Sequence, residues 1–352
     1  MNNFKNIYDA IEARDCIVSD NNIYYSIDNF NDIANFSKNA KYIIFDAREI
    51  CHTFWLPRKA MHMRTILSKV DPQKIYYIIN YHSSITDDEL KTEYGNINIF
   101  RSRYFEVDCV HKHDYGNLER QSLSTIFGYR KKYLALFGKP YKFMRIGALT
   151  YMDNHNMINE SLYSCLSGNT DTINYAASIT DYWSKDDIVN TLTKFNTTAD
   201  NITYDRGTSN SDTNYFGYPY DVKMYKNTKI SIIAETNDIK MHDNPSTEAF
   251  FVTEKTCRAM YNYHPFVILS TPLFLENLQK LGYKTFSNFC DESYDSEYDS
   301  MCRLTKSLQS AQELSNVTNR KITKVLVHNA NNLKSVYDAE KAALDSLLNS
   351  SH

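Results

Sequence analysis

A chain of 352 residues is too long for one ordinary hydrophobic core and fits two α/β-type domains. Its composition, 42% hydrophobic and 23% charged, excludes a disordered chain. A formal net charge of −3 excludes a global pull toward nucleic acid or anionic lipid, so any polyanion contact must be a local patch.

Along the chain, Lys41 to Asp46 reads as a buried strand, followed by helical spacing over 53–70. Lys74 to Asn80 and Ile97 to Phe100 read as the next two strands. Strands separated by helical segments imply βαβ units and a parallel sheet. The loops after Asp46, Asn80 and Phe100 then share one carboxyl edge. Residues 118–137 are expected to form a helix stopped by Gly138-Lys139-Pro140, and Tyr141 to Ile146 the first strand of a second unit. A polar stretch over 196–214 reads as a loop. Lys229 to Thr236 and Pro265 to Ser270 read as strands, and Val317 onward as helix. The expected domains are 1–138, on the acceptor side, and 139–328, binding the donor, with a C-terminal helix over 329–352 that packs back across the first.

Seven cysteines, Cys16, Cys51, Cys109, Cys165, Cys257, Cys290 and Cys302, are odd in number and form no C-x-x-C. Reduced thiols are expected, not a disulfide framework or a zinc site. No apolar run reaches membrane-spanning length and Met1 to Asp15 has no apolar signal region, so a cytoplasmic protein without membrane contact is expected. The 28 Tyr against 9 Gly fit AT-rich coding; stacking on sugars or bases is the sharper reading and requires a site.

The chemistry concentrates in Ile230 to Arg303. Thr253 is a natural N-cap, with Glu254 and Lys255 in the first turn of a helix that Pro265 stops. A helix start offers free N–H groups and a positive dipole end to a diphosphate. Lys255 adds a full charge, and Glu254 can accept hydrogen bonds from ribose hydroxyls. The same spacing also occurs as simple helix capping.

The run from Phe251 to Val267 resembles the donor-site motif of α1,3-fucosyltransferase-like enzymes, in which a T-E-K segment precedes a helix and a strand opening on proline. It is also similar to uncharacterised bacterial and phage-encoded glycosyltransferase-like proteins. The matches are Glu235-Thr236, Thr253 to Thr256, Pro265-Phe266, Leu281 to Phe286 and Asp291 to Asp295, over roughly 75 residues. The resemblance implies a GT-B-like α/β fold: two Rossmann-like domains with parallel sheets facing a central cleft. It also implies a metal-independent glycosyltransferase with a nucleotide-diphosphate sugar as co-substrate and no other cofactor, Glu254 binding the ribose and Lys255 the phosphates. Glu235 and Thr236 join the donor site on the same ground. The group carries an Asn-Arg-rich loop near the start of the second domain; here Lys142 to Leu149 has only Arg145, inside the expected strand. Arg145, with Asn154 or His155, is the candidate to neutralise the leaving diphosphate. The alternative is a catalytically inactive protein of this fold that binds glycan, nucleic acid or protein.

An inverting transfer to a hydroxyl needs a general base, for which Asp46, Glu49, His82, Glu106 and Asp108 are candidates by their place at the carboxyl edge; a retaining one does not. The acidic run Asp291, Glu292, Asp295, Glu297 and Asp299 suits a divalent metal by composition, but a solvated loop is the preferred reading, with Asp295 and Arg303 holding local structure. Arg130, Lys131, Lys132, Lys139, Lys142 and Arg145, interleaved with aromatics, form a basic patch over 130–145 that suits a nucleic-acid acceptor; an exposed helix face and its hinge is the preferred reading.

Overall fold

The computed structural model describes residues 18–19, 22–26, 42–47, 67–68, 71–83, 85–114, 119–124, 131–137, 143–165, 184–195, 222–235 and 250–349. The chain divides into two compact units, Met1–Tyr104 and Phe105–His352. The sequence reading drew this boundary after residue 138.

The first unit holds a five-stranded sheet of β1 (Val18–Ser19), β2 (Asn22–Ser26), β3 (Tyr42–Ala47), β4 (Ile75–Asn80) and β5 (Asn98–Ser102). The strands lie in chain order; β1 is antiparallel to β2 and the other pairs are parallel. Every residue of β4 is buried, as expected of a central strand covered on both faces. Helix α1 (Asp87–Tyr94) joins β4 to β5. It opens on a capping box in which Thr86 Oγ1 accepts from the Glu89 N–H and Glu89 accepts from the Thr86 N–H. The helix expected over 53–70 lies outside the described residues except for 67 and 68.

The second unit opens with α2 (Tyr104–Asp114), whose first residue ends the first unit. Its sheet comprises β6 (Lys131–Leu136), β7 (Ser161–Ser164), β8 (Thr228–Ala234) and β9 (Phe266–Leu269), all parallel, in the order β7-β6-β8-β9. Around it lie α3 (Phe143–Asn154), α4 (Lys185–Phe195), α5 (Val222–Asn227), α6 (Glu254–Tyr261), α7 (Phe274–Lys280), α8 (Ser300–Asn316) and α9 (Asn319–Asn349). Helix α8 packs on α3, β8 and β9, while α9 packs on α6. The buried Lys229 donates to the Ser315 carbonyl and closes the C-terminal end of α8.

Two expected elements are exchanged. Residues 131–136 form strand β6 where a helix over 118–137 was expected, and 143–154 form α3 where a strand over 141–146 was expected. The two errors have separate causes. Phe143 to Leu149 is buried on every side, so α3 lacks the one-sided period that distinguishes a helix from a short buried strand. The stop signal at Gly138-Lys139-Pro140 follows a strand. The expected loop over 196–214 lies outside the described residues.

Among the described residues, no helix is long and apolar enough to cross a membrane. Cys109, Cys165, Cys257 and Cys290 are buried free thiols and Cys302 is an exposed one.

Candidate functional site

In the second sheet the strand order reverses between β6 and β8: the chain moves outward from β6 to β7, then returns to the other side of β6 for β8 and β9. Open α/β sheets form their ligand crevice at the carboxyl ends of strands flanking such a reversal. Glu235 follows β8 at this edge, and Thr253 opens α6 beside it. The five strands of the first sheet run in simple order, without a reversal among the described strands.

Glu235, 2% exposed, organises this edge. Its Oε2 accepts from Thr253 Oγ1 at 2.6 Å, and its Oε1 accepts from Thr256 Oγ1 at 2.6 Å and from the Thr253 N–H at 3.3 Å. Thr253 Oγ1 in turn accepts from the Lys255 N–H at 3.4 Å, so the expected N-cap is present. The helix start therefore already meets a carboxylate of its own chain. A diphosphate at this edge would meet the Lys255 ammonium more readily than bare N–H groups.

Lys255 Nζ donates to Glu254 Oε1 at 2.9 Å and to Thr253 Oγ1 at 3.3 Å, with 20% of the lysine side chain exposed against 6% of the glutamate. Burial pushes the Glu254 carboxyl up, but the charges of Lys255 and Arg258 outweigh it and hold the carboxyl below its usual range. Glu254 in turn raises the pKa of Arg258 against the opposite effect of burial. Arg258 was not singled out in the sequence. Its spacing of four residues from Glu254 on one helix was the available signal.

Thr236 lies outside the described residues. Arg145 sits in the first turn of α3, the helix that follows β6, and is only 6% exposed. His155 follows the far end of α3, where Nδ1 meets the Tyr151 carbonyl at 2.8 Å and its ring stacks on Tyr151 at 3.8 Å. Because a crossover helix runs against the strands it joins, Asn154 and His155 lie toward the amino edge, away from Glu235.

Asp46 is the fifth residue of β3, paired with Ser26 and Ile78, rather than a loop residue, and Glu49 lies outside the described residues. His82 follows β4, its N–H donating to Asn80 Oδ1 at 2.9 Å. Burial, with Arg103 adding to it, lowers its pKa to about 3, so its imidazole accepts protons poorly at neutral pH. Glu106 and Asp108 are not on a loop of the first unit but in α2 of the second; both are buried, and Glu106 accepts from Tyr283 OH at 3.1 Å.

The acidic run serves the backbone. Asp295 accepts from the N–H groups of Leu275 and Glu276 at 2.7 and 2.9 Å and caps α7. Glu292 accepts from the Phe286 N–H, and Asp299 caps α8 through the Cys302 N–H. The buried Arg303 gathers the carbonyls of Ser270, Glu297 and Tyr298, tying this loop to the end of β9. Of the basic patch, Lys131 donates to the Asn159 carbonyl and Lys132 pairs with Glu160 at 2.9 Å; Arg130, Lys139 and Lys142 lie outside the described residues.

No protein-family model, curated protein or solved structure matches this chain.

Proposed function

We propose that the chain is a glycosyltransferase-like protein that takes a nucleotide-diphosphate sugar at the carboxyl edge of the second sheet, between β6 and β8. The observation that carries this reading is the Glu235 carboxylate, which ties Thr253 and Thr256 beside the strand-order reversal and so presents Glu254 and Lys255 there. In this reading Glu254, kept ionised by Lys255 and Arg258, accepts from the ribose hydroxyls. Lys255 turns from Glu254 to the diphosphate and neutralises the charge that grows as the sugar leaves. The reading includes a GT-B-like arrangement of two Rossmann-like units, transfer to an acceptor hydroxyl without a metal, and a base from the first unit. His82 suits that last role poorly, since its pKa of about 3 makes it a weak base.

Isothermal titration of the full chain with UDP-, GDP-, ADP- and TDP-sugars tests the assignment. At least one donor is expected to bind, with affinity falling roughly tenfold or more in Glu254→Gln and in Lys255→Met. Binding of none, or unchanged affinity in both folded variants, overturns it.

A second reading, a catalytically inactive binding protein of the same fold, draws on the burial of Arg145, the only arginine in the segment where a donor-neutralising loop was expected. It predicts that none of these donors binds and that a glycan, a nucleic acid or a protein does instead.

A further inference from the structure

The C-terminal end of α6 holds an arrangement that the donor site does not use. The Tyr263 N–H donates to the Met260 carbonyl at 3.2 Å and the His264 N–H to the Ala259 carbonyl at 2.9 Å, the paired bonds of a Schellman ending. That ending requires a left-handed residue at its turn, and Tyr263 supplies it with φ of 52°. The same chain ends α7 in the same way, with Gly282 at φ 87° in the equivalent place. Glycine adopts this conformation without strain and tyrosine does not.

What the tyrosine does there is face Arg120. The Arg120 Cζ lies 4.3 Å from the Tyr263 ring centroid and 4.0 Å from that of Tyr261. Its Nε donates to the Tyr261 carbonyl at 2.8 Å, and the neighbouring Gln121 N–H donates to Asn262 Oδ1 at 2.9 Å. The guanidinium is thus held by two rings, a carbonyl and an anchored backbone. Among the described residues, no hydrogen-bond partner reaches its two terminal nitrogens.

The acids nearby already have cations: Asp114 accepts from Tyr261 OH and faces Lys334 at 3.4 Å, while Glu119 faces Lys226 at 3.8 Å. Among the described residues around it, Arg120 keeps a positive charge without an acid partner, in a planar fork flanked by flat rings.

We propose that Arg120, held by Tyr261 and Tyr263, is a recognition point for a carboxylate. A planar monoanion matches both the fork of terminal nitrogens and the single charge. A phosphate dianion is tetrahedral and carries a second charge that the single guanidinium does not match. The strained backbone at Tyr263 is retained because its ring fixes the guanidinium before the ligand arrives, which lowers the ordering cost of binding. This site is independent of the donor reading.

The test follows the Arg120 side-chain Nε–H resonance of the full chain by two-dimensional nitrogen–proton NMR. Benzoate, inorganic phosphate and an acetylated tetraglutamate peptide are titrated at neutral pH and fixed ionic strength. Benzoate is expected to give a saturable shift, with phosphate at least about tenfold weaker. Tighter binding of the peptide than of benzoate assigns the carboxylate to an acidic protein segment, and the reverse to a small molecule. Arg120→Lys, which keeps the charge but not the fork, is expected to lose saturable binding, read from backbone amides around Tyr261. Tyr263→Gly is expected to weaken benzoate binding several-fold without lowering the melting temperature, a combination that a merely structural tyrosine would not produce. A linear, unsaturated benzoate response, equal or tighter phosphate binding, or unchanged benzoate affinity in Arg120→Lys overturns the proposal.

Discussion

Glu235 carries more of the candidate site than its neighbours do, because one buried carboxylate serves three donors. Glu235→Ala would strand the hydroxyls of Thr253 and Thr256 away from an acceptor, and the expected loss is roughly 3 kcal/mol of stability. Glu235→Gln keeps one carbonyl oxygen and the side-chain shape, so a loss of about 1 kcal/mol is expected. Urea unfolding of the full chain measures both, and equal losses in the two variants would contradict this account. Thr253 as an N-cap was legible in the sequence, since it lies at a helix start followed by an acid. Glu235 as the acceptor of that cap was not legible, because a contact across eighteen residues leaves no periodic trace.

At the scale of elements, the ends of helices decide more than their middles. Gly282 ends α7 in the left-handed region, and a Cβ there would come within 3.4 Å of Asn332 Oδ1. Asn332 itself donates to the Leu281 carbonyl, so it cannot move aside without losing that bond. Gly282→Ala is therefore expected to cost about 1–2 kcal/mol, read as a lower urea midpoint with an unchanged slope. A midpoint equal to that of the wild type would show that Asn332 yields. Strands β3, β4 and β5 were readable within two residues at each end because they are short apolar runs bounded by polar turns. Helix α3 was misread because burial of Phe143 to Leu149 on all faces erases the difference between periods of two and 3.6. Strand β6, where Lys131, Lys132 and Leu136 are only half-buried, was misread because the Gly138-Lys139-Pro140 stop was assigned to a helix.

Across the whole molecule, acid acts on both units through buried neutral histidines. In the second unit His264 accepts from Ser231 Oγ at Nδ1, 2.8 Å away, and donates from Nε2 to the Thr228 carbonyl at 3.0 Å, the pattern of a neutral ring. Burial lowers its pKa to about 4 despite that carbonyl, and His82 in the first unit falls to about 3. Above the ordinary histidine value of about 6.5 both folded and unfolded chains hold these rings neutral, and they impose no pH dependence. Below it the unfolded chain binds protons that the folded chain refuses, so stability falls as pH falls. For His264 the loss reaches roughly 3 kcal/mol and levels off once the pH drops below about 4. Urea midpoints at pH 7.5, 5.5 and 4.5 check this, with His264→Gln expected to lessen the fall without abolishing it, because His82 still contributes; a flat wild-type profile would refute it.

The sequence by itself determined the alternation of strand and helix, the parallel class of sheet it implies, and the capped start at Thr253-Glu254-Lys255. Each of these is written locally, in period and cap chemistry. Tertiary structure decided the rest: that 105–138 joins the second unit, that the strand order reverses between β6 and β8, and that Glu235 occupies the start of α6. Those are long-range choices, made by which buried faces and buried donors find one another, and no local pattern records them.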